Sequence, residues 1–230
     1  MRELSNSEVK YINKLYLAKY RKEENKFVVE GKHLILEAKK AGVLLEAYTT
    51  DENFEGELIS ESSMKKVCKT NTIVNALGIC KLFTNHKLTD KILVLDAIQD
   101  PGNLGTLMRS AKAFGFDTIL LGRGTVDIYN DKVIRSSQGA IFKLNFINDN
   151  IKDFINEHPE YEFYGTDVRT GVEAEAIKPN KKIALILGNE GNGMQEELKS
   201  LTKANIYIPL INTESLNVSV AGSILMYLFK

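Results

Sequence analysis

The stretch IALILGNEGNGM (183–194) joins an apolar run to a loop that is rich in glycine. The run predicts a strand over 183–188, and three glycines lie within 188–193. A tight turn after a strand needs one glycine, whereas several glycines let backbone N–H and C=O groups approach a ligand closely. Glu190 lies in the middle of the loop, where its carboxylate has to be solvated or hydrogen-bonded. We therefore expect a buried strand that ends in a ligand-binding loop.

Strands and helices alternate on both sides of this stretch. The apolar patterns predict strands over 91–96, 118–122, 141–147, 162–167 and 206–210, and helices over 103–115, 129–137, 149–157, 194–202 and 214–229. Short apolar strands that alternate with helices are typical of a mostly parallel sheet covered on both faces. The predicted fold class is therefore α/β, with a parallel sheet in the C-terminal part.

The N-terminal part of the chain predicts a second, smaller α/β unit. Its patterns indicate helices over 5–22, 32–41 and 61–68, and strands over 27–31, 43–49, 57–60 and 73–77, in a βαβαβ-like order. Residues 81–90 are polar and aperiodic, which is typical of a linker. We therefore expect two domains, over 1–85 and 91–230.

The charge balance restricts how this chain can bind nucleic acid. The sum of Lys and Arg (30) equals that of Asp and Glu (30), so binding has to come from a local patch. The one clear basic cluster lies in the first predicted helix and comprises Lys10, Lys14, Lys19, Arg21 and Lys22. It is either a solvated helix face or an arm that contacts RNA phosphates.

The remaining composition excludes several classes of protein. No apolar run approaches the roughly 20 residues of a membrane-spanning helix, and the N-terminus has no apolar signal region. Cys68 and Cys80 form neither a disulfide framework nor a zinc pattern, and the three histidines are scattered. Neither the GxGxxG fingerprint nor a phosphate-binding P-loop is present, so classical NAD binding and P-loop ATP hydrolysis are not expected. We expect a soluble, cytoplasmic protein without a metal site.

A second junction between a strand and a helix is LDAIQDPGNLGTLMRSAKAFGFD (95–117). Its turn signal at 100–103 precedes a helix that Asn103 can cap, with Arg109 in the second turn. The plain interpretation is a well-capped helix. The functional one is that a loop amide and a cation converge on a substrate, because ligands bind at strand ends in open α/β sheets.

The third junction is IYIPLINTESLNVSVAGSILMYLF (206–229), in which Pro209 ends the strand and Asn212 or Thr213 opens the helix. Ser215 and Asn217 lie at the polar start of that helix, where they either cap it or bind a ligand. Small residues between 215 and 223 allow another element to pack closely on the helix. An apolar stripe runs along it, made of Leu216, Val220, Ile224 and Tyr227.

In this order the three junctions closely resemble the signature motifs of the SpoU (TrmH-like) family of RNA ribose 2′-O-methyltransferases, in the SPOUT class. The resemblance covers about 91–230, and VDIYNDKVIRSSQGAIFKLNF (126–146) matches the family's segment between its first two motifs. KYRKEENKFVVEGKHLILEAKKAG (19–42) resembles the family's substrate-binding domain. The resemblance implies a ribosomal-protein-like α/β/α domain and a catalytic domain with a deep trefoil knot. It also implies a homodimer with active sites built from both subunits, and S-adenosylmethionine (AdoMet) as methyl donor.

The resemblance further implies the roles of individual residues. The catalytic positions are Asn103, Arg109, Glu190, Ser215 and Asn217, and the positions around AdoMet are Leu187, Gly188, Asn189, Gly191, Ile208, Pro209, Leu210, Leu216 and Asn217. Ribosomal RNA is the expected substrate. The alternatives are a transfer RNA substrate, a member that binds AdoMet or RNA without catalysis, and a base methyltransferase of the same class.

Overall fold

The computed structural model describes residues 1–230 except positions 71, 73, 84, 85 and 169. The chain divides into two compact units, of which the first comprises Met1–Phe83 and Asp127–Phe142 and the second Thr84–Val126 and Lys143–Lys230. The segment 127–142 therefore belongs to the first unit, although it lies within the second predicted domain. The domain boundaries at 85 and 91 stay a prediction, and positions 84 and 85 of the predicted linker lie outside the described residues.

Helices and strands alternate over most of the chain. The strands are β1 (Lys26–Glu30), β2 (Leu44–Thr49), β3 (Glu57–Leu58), β4 (Ala76–Lys81), β5 (Lys91–Leu95), β6 (Thr118–Leu121), β7 (Asn145–Asn148), β8 (Glu162–Thr166), β9 (Val172–Glu173), β10 (Ile183–Leu187) and β11 (Ala204–Tyr207). The α-helices are α1 (Asn6–Lys14), α2 (Ala18–Glu24), α3 (Lys32–Lys40), α4 (Glu61–Val67), α5 (Pro101–Phe114), α6 (Asp131–Ser137), α7 (Ile151–Glu157), α8 (Glu196–Lys199) and α9 (Val218–Leu228).

The second unit is built on a seven-stranded sheet in the order β7-β6-β5-β10-β8-β11-β9. All neighbouring strands are parallel, which confirms the predicted parallel α/β fold. All five residues of β10 are buried, which is typical of a strand whose two faces are both covered. The carboxyl ends of parallel strands share one edge of the sheet, so the loops after β5, β8, β10 and β11 gather there. The trefoil knot implied by the resemblance stays a prediction.

The first unit is built on a four-stranded sheet in the order β1-β4-β2-β3. β4 is antiparallel to both β1 and β2, and only β2 and β3 are parallel. The elements follow one another along the chain as the βαβαβ-like prediction requires, but the sheet is mixed, because the chain after α4 re-enters it between β1 and β2 in the opposite direction. The predicted strand over 73–77 lies later, at β4, and position 73 is outside the described residues.

The predicted helix over 5–22 is interrupted, because α1 ends at Lys14 and α2 begins at Ala18. Leu15 and Arg21 are both buried, at 1% and 4% exposure. Six residues apart on one straight helix, they would point in different directions. The break lets both side chains face the interior of the first unit.

Two predicted elements of the second part are shorter than expected. The predicted strand over 141–147 begins as a 3-10 helix, Ala140–Lys143, before β7. The predicted helix over 194–202 is reduced to the single turn of α8. Just after that turn, the hydroxyls of Ser200 and Thr202 donate to the carbonyls of Glu197 and Lys199, in competition with further helical bonds.

The helices and the potential metal ligands of the described residues bear on two of the classes of protein considered above. None of their helices is both long and apolar enough to cross a membrane. In the same part of the chain, no three His, Cys, Asp or Glu side chains lie together as a metal ion would require.

Candidate active site

The first site element is the start of α5, directly after β5. The Asp100 side chain caps the helix by accepting a hydrogen bond from the Asn103 backbone N–H at 2.8 Å. The expectation that Asn103 caps this helix is therefore wrong, because Pro101 suits the first helical position and moves the start two residues earlier. As a result, the Asn103 side chain is available for other contacts, and Arg109 lies in the third turn rather than the second.

The second element is the start of α9, which is Val218 with Asn217 as its cap. Asn217 Oδ1 accepts hydrogen bonds from the backbone N–H of Ser219 at 2.9 Å and from its hydroxyl at 2.6 Å. The expected helix start at Asn212 or Thr213 is wrong. The Thr213 hydroxyl donates instead to the Ser215 carbonyl at 3.2 Å, and residues 211–217 are irregular.

Glu190 links the loop after β10 to the loop after β5. Its Oε1 accepts hydrogen bonds from the Asp100 backbone N–H at 3.1 Å and from Asn103 Nδ2 at 3.2 Å. Its Oε2 accepts from the Gln99 backbone N–H at 3.2 Å and from Asn189 Nδ2 at 3.4 Å. Each carboxylate oxygen therefore accepts two hydrogen bonds. This agrees with the expectation that a carboxylate in the middle of this loop has to be solvated or hydrogen-bonded.

Hydrogen bonding keeps Glu190 ionised. Partial loss of hydration acts to raise the pKa of Glu190, but hydrogen bonds from its own backbone amide, the Asn103 side chain and the amides of Asp100 and Gln99 outweigh that effect. The pKa of Glu190 therefore lies below its ordinary value of 4.5. At neutral pH the side chain is a carboxylate, which only accepts hydrogen bonds.

Asn103 connects Glu190 to the third junction. Asn103 donates through Nδ2 to Glu190 and accepts through Oδ1 from Asn217 Nδ2 at 3.0 Å. Because Glu190 can only accept and Asn217 uses Oδ1 for Ser219, the orientation of both amides is fixed by their partners. The structure thus brings together three predicted catalytic residues in one chain of hydrogen bonds, Glu190–Asn103–Asn217.

Arg109 lies on α5 outside this chain of hydrogen bonds. It is exposed, and within the described part of the protein it makes no hydrogen bond or ion pair. At 1.5 Å of rise per residue, its Cα is about 9 Å along the helix from that of Asn103. Helical side chains tilt toward the N-terminus, so the guanidinium can extend back toward the site.

A cavity of about 390 Å³ opens beside the network, at the ends of β8, β10 and β11. Most of the residues predicted around AdoMet line it, namely Leu187, Gly188, Asn189, Gly191, Ile208, Leu210 and Leu216. Glu190 and Ser215 also line the cavity. Pro209, which is exposed, and Asn217, which bonds Asn103, are not among its lining residues.

The glycine-rich loop closes tightly on itself at the mouth of this cavity. Asn189 and Gly193 exchange two backbone hydrogen bonds, of 3.0 and 2.9 Å. A Cβ atom at Gly188 would lie 2.1 Å from the Met194 backbone nitrogen, so only glycine fits there. This close approach explains why the loop needs more glycine than a simple turn.

Asp96 was not among the predicted site residues, although it positions the same loops. It is 2% exposed and follows β5 directly, and its carboxylate accepts hydrogen bonds from Gln195 N at 3.1 Å and Nε2 at 2.7 Å. The next residue, Ala97, has a φ of 57°, and its carbonyl accepts from Asn189 Nδ2 at 2.8 Å. A lone Asp at the end of an apolar strand is the sequence signal for this contact.

The predicted RNA-binding residues lie in the first unit, where four of the five are accessible. Lys10, Lys19 and Lys22 are exposed, and Lys14 is half-buried over the Tyr20 ring. The fifth, Arg21, is buried, with Nη2 2.6 Å from Oδ2 of Asp127. Its inclusion in an exposed basic face is therefore wrong, because the break before α2 turns it inward.

The predicted apolar stripe of α9 faces outward. Val220, Ile224 and Tyr227 are 46%, 36% and 51% exposed. The opposite face packs closely on α5 and β10, because a Cβ atom at Gly222 would lie 2.7 Å from Leu107 Cδ2 and 2.5 Å from Leu187 Cδ1. The small residues of α9 therefore serve packing within the chain together with the buried Leu225 and Met226, whereas Val220, Ile224 and Tyr227 remain exposed.

Comparisons with known proteins point to one family. Residues 90–227 match the SpoU rRNA Methylase family, and residues 6–78 match the MRM3-like substrate binding domain. The chain is 37% identical to the 23S rRNA (guanosine(2553)-2′-O)-methyltransferase RlmP of Bacillus subtilis, over 96% of this chain and 95% of that protein.

Solved structures of similar fold agree with this assignment. An AdoMet-bound rRNA methyltransferase from Sinorhizobium meliloti superposes with a TM-score of 0.88 at 25% identity, over 99% of this chain and 95% of that one. The SpoU methyltransferase AviRb from Streptomyces viridochromogenes, in complex with AdoMet, gives a TM-score of 0.85 at 19% identity, over 97% of each chain. The likeness to AviRb shows the fold alone.

Proposed function

The chain belongs to the SpoU rRNA methylase family, and we propose that it transfers a methyl group from AdoMet to a ribose 2′-hydroxyl of ribosomal RNA. The observation that carries this proposal is the hydrogen-bonded chain Glu190–Asn103–Asn217 beside the cavity. It supplies fixed polar groups at one end of a pocket that also has apolar walls, as a site for an extended cofactor and a ribose requires.

The cavity suits AdoMet in chemistry as well as in place. Leu187, Ile208, Leu210 and Leu216 would surround its apolar parts, and the backbone around Gly188 and Gly191 would offer hydrogen bonds at close range. When bound, AdoMet supplies a methyl group already activated on a sulfonium, so the protein mainly has to position the reactants. No Lewis acid is needed for that chemistry, and we expect EDTA to leave AdoMet binding, measured by calorimetry, unchanged.

We propose that Arg109 contacts the RNA and does not accept the proton of the ribose 2′-hydroxyl. A guanidinium is effectively always protonated and cannot act as a general base. Arg109 instead binds the phosphate next to the target ribose and stabilises the negative charge that develops on the 2′-oxygen. The 2′-hydroxyl proton then passes to a phosphate oxygen or to water.

Asn103, Ser215 and Asn217 orient the ribose and Arg109. The two amides cannot rotate without breaking hydrogen bonds to Glu190 and Ser219, so they are held ready before RNA binds. Such preorganisation lowers the cost of reaching the transition state. Glu190 acts as a positioning residue, because its oxygens are occupied by protein donors.

RNA binding is assigned to four lysines of the first unit, the exposed Lys10, Lys19 and Lys22 and the half-buried Lys14. They would contact phosphates, while recognition of the target rests on RNA shape and on unpaired nucleotides. We place this activity in the cytoplasm, where ribosomal RNA would be accessible.

A homodimer is also part of the proposal. The outward stripe of α9 offers a second copy of the chain an apolar surface around Val220, Ile224 and Tyr227. Exposed apolar patches of this kind mark interaction sites. Arg109, which lacks a partner among the described residues of one chain, fits an active site that two subunits complete.

The test is Arg109→Ala, assayed by transfer of tritium from labelled AdoMet to ribosomal RNA. Arg109 is exposed, so truncation opens no core cavity, and AdoMet affinity should stay near normal. Loss of a preorganised charge contact typically costs about 3–4 kcal/mol, a rate factor of roughly 10²–10³. Arg109→Lys should be nearly as slow if the planar fork is needed, and should recover much of the rate if charge alone suffices.

Lys112→Ala is the matched control, because it removes a positive charge from the same helix at a residue that pairs with Asp117. It should keep the wild-type rate. Near-normal turnover in Arg109→Ala would refute the assignment of Arg109.

A further inference from the structure

The loop that follows β6, residues 122–126, begins at the same edge of the parallel sheet as the candidate site. β5 and β6 are parallel neighbours, and their last residues, Leu95 and Leu121, are paired in register. With about 4.8 Å between neighbouring strands, the loops after β5 and β6 leave the sheet side by side. The loop after β5 leads to Asn103, whereas no residue of the loop after β6 belongs to the predicted site.

Hydrogen bonds fix the loop after β6 against the loop after β5. The Gly122 backbone N–H and the Thr125 hydroxyl both donate to the Leu95 carbonyl, at 2.9 and 3.1 Å. The Val126 N–H donates to the Ile98 carbonyl at 2.9 Å. A Cβ atom at Gly122 would lie 2.7 Å from the Leu95 carbonyl oxygen, so glycine is needed for this close approach. The loop after β6 is therefore held in one position beside the site.

Arg123 lies in this fixed loop, and its side chain has no partner within the described part of the chain. The side chain is exposed, and it makes no hydrogen bond or ion pair with any described residue. The structure describes every residue of the loops after β5, β6, β10 and β11, and Arg123 is the only basic one among them. One fixed loop thus presents a single cation at the edge of the sheet where the site lies.

The order of the strands places the cavity and Arg123 on opposite sides of the predicted catalytic residues. Successive neighbours in the sheet are β6, β5, β10, β8 and β11. The cavity lies at the ends of β10, β8 and β11, and the chain Glu190–Asn103–Asn217 joins the loops after β10 and β5. An RNA strand whose ribose is bound at that chain cannot continue into a cavity that AdoMet fills. The side away from the cavity is the side of β6.

We propose that Arg123 binds a phosphate of the RNA backbone, beyond the phosphate assigned to Arg109, on the side of the target ribose that faces away from AdoMet. The inference rests on the proposed function, since it presumes RNA as the substrate and AdoMet as the cofactor. It adds an RNA contact in the second unit to the lysines assigned in the first. Arg123 binds the RNA before and during the reaction alike, whereas Arg109 stabilises charge that develops only in the transition state.

The chemistry of the Arg123 side chain suits a phosphate. A guanidinium is always charged, and its planar fork of N–H groups matches two phosphate oxygens at once. The carboxylates of the neighbouring loops are engaged elsewhere, since Asp96, Asp100 and Glu190 all accept hydrogen bonds from backbone amides. The donors of Arg123 therefore remain available, and the fixed loop reduces the cost of ordering the contact.

Steady-state methylation by the full chain tests the inference, with transcribed ribosomal RNA and tritium-labelled AdoMet as substrates. Arg123→Gln removes the charge, and Arg123→Lys keeps the charge without the planar fork. Lys87→Gln is the control, because Lys87 is an exposed cation that precedes β5, at the opposite edge of the same sheet. Affinity for the same RNA is measured by filter binding at several salt concentrations, and affinity for AdoMet by calorimetry.

Arg123→Gln should raise KM for RNA roughly tenfold, as loss of a charge-assisted hydrogen bond does, and should leave kcat near the wild-type value. The slope of log affinity for RNA against log salt should fall by about 0.7–0.9, which corresponds to one phosphate contact. Arg123→Lys should keep the wild-type slope, because it keeps the charge, and should raise KM less. Lys87→Gln should match the wild type. AdoMet affinity should be unchanged in all variants, since Arg123 does not line the cavity.

A wild-type KM and salt slope in Arg123→Gln would overturn the inference. A lower kcat with an unchanged KM would overturn it as well, because Arg123 would then act on the reacting atoms. So would an equal loss of RNA affinity in Lys87→Gln, since the effect would then depend only on net charge. Wild-type protein that transfers no methyl group to ribosomal RNA would contradict the proposed function itself, which separates the two failures.

Discussion

Replacing Glu190 by glutamine tests whether one carboxylate holds the loops of the site together. The change keeps the size of the side chain but leaves one acceptor oxygen and adds an NH₂ group. Four N–H donors surround the carboxylate, two on each oxygen. In Glu190→Gln, two of them face the NH₂ group and lose their acceptor, whichever way the amide turns.

The size of the effect follows from these contacts. Two hydrogen bonds to a charged group are worth together about 3–6 kcal/mol when buried. Glu190 is exposed to water, which replaces part of this loss, so we expect about 1–2 kcal/mol. That corresponds to roughly a 5- to 30-fold change in the equilibrium for local opening of the loop.

Amide hydrogen exchange, followed by mass spectrometry of peptides, reads this opening directly. Peptides that contain Gln99 and Asp100 should exchange roughly 5- to 30-fold faster in Glu190→Gln. Glu197→Gln is the matched control, because it removes a carboxylate from the same region that pairs only with the exposed Lys152 in the described contacts. Unchanged exchange at 99–100 in Glu190→Gln would refute the role given to Glu190.

The difference in hydrogen exchange between wild type and Glu190→Gln should also depend on pH. The pKa of Glu190 is lower in the folded protein than its ordinary value of 4.5, so its stabilising effect is fully present above about pH 4.5. The effect is lost as the pH falls below that value through the folded pKa. The difference in exchange between wild type and Glu190→Gln should therefore shrink on the acid side; a difference that grew there would have the wrong sign.

Two more predictions concern the partners of the chain. Tyr227→Glu places a charge in the outward stripe of α9 and should convert a dimer into a monomer, as measured by light scattering. Leu36→Asp, which changes another exposed apolar residue, should leave the dimer intact. A wild-type protein that is monomeric at micromolar concentration would contradict this prediction. Lys19→Ala with Lys22→Ala should reduce the slope of log affinity for RNA against log salt by about 1.4–1.8, and Lys65→Ala with Lys66→Ala, two exposed lysines of α4, should leave it unchanged. Equal slopes in the two double variants would mean that the basic face is only solvated surface.

Local sequence predicted the central strands of the parallel sheet well, because their aliphatic composition is sufficient to identify them. The apolar runs at 91–95 and 183–187 are central neighbours in the parallel sheet, as their aliphatic content indicated. The glycine-rich loop lies at the candidate site, and the Glu190 carboxylate within it is hydrogen-bonded, as its position in the sequence predicted. Those donors, at Gln99 and Asp100, are 91 and 90 residues away in the chain, and no spacing rule identifies them.

Helix periodicity shows which residues share a face, but not which face is covered. Val220, Ile224 and Tyr227 share a stripe as predicted, yet the covered side of α9 is the one with Gly222. Arg21 shows the converse limit, because a break of three residues turned a predicted surface cation into a buried partner of Asp127. Both site helices begin at other residues than predicted, although Asn217 caps α9 as one of the two interpretations held. Several neighbouring polar residues could serve as the cap at each helix, and local sequence does not choose among them.

The most direct measurement is the identity of the methylated nucleoside. Ribosomal RNA lacking this modification is incubated with purified protein and labelled AdoMet, digested to nucleosides and analysed by mass spectrometry. We predict one 2′-O-methylated nucleoside, which the Arg109→Ala variant forms at least roughly 10²-fold more slowly. A methyl group on a base, or no incorporation while AdoMet still binds, would contradict the assignment of this chain as a ribose methyltransferase acting on ribosomal RNA.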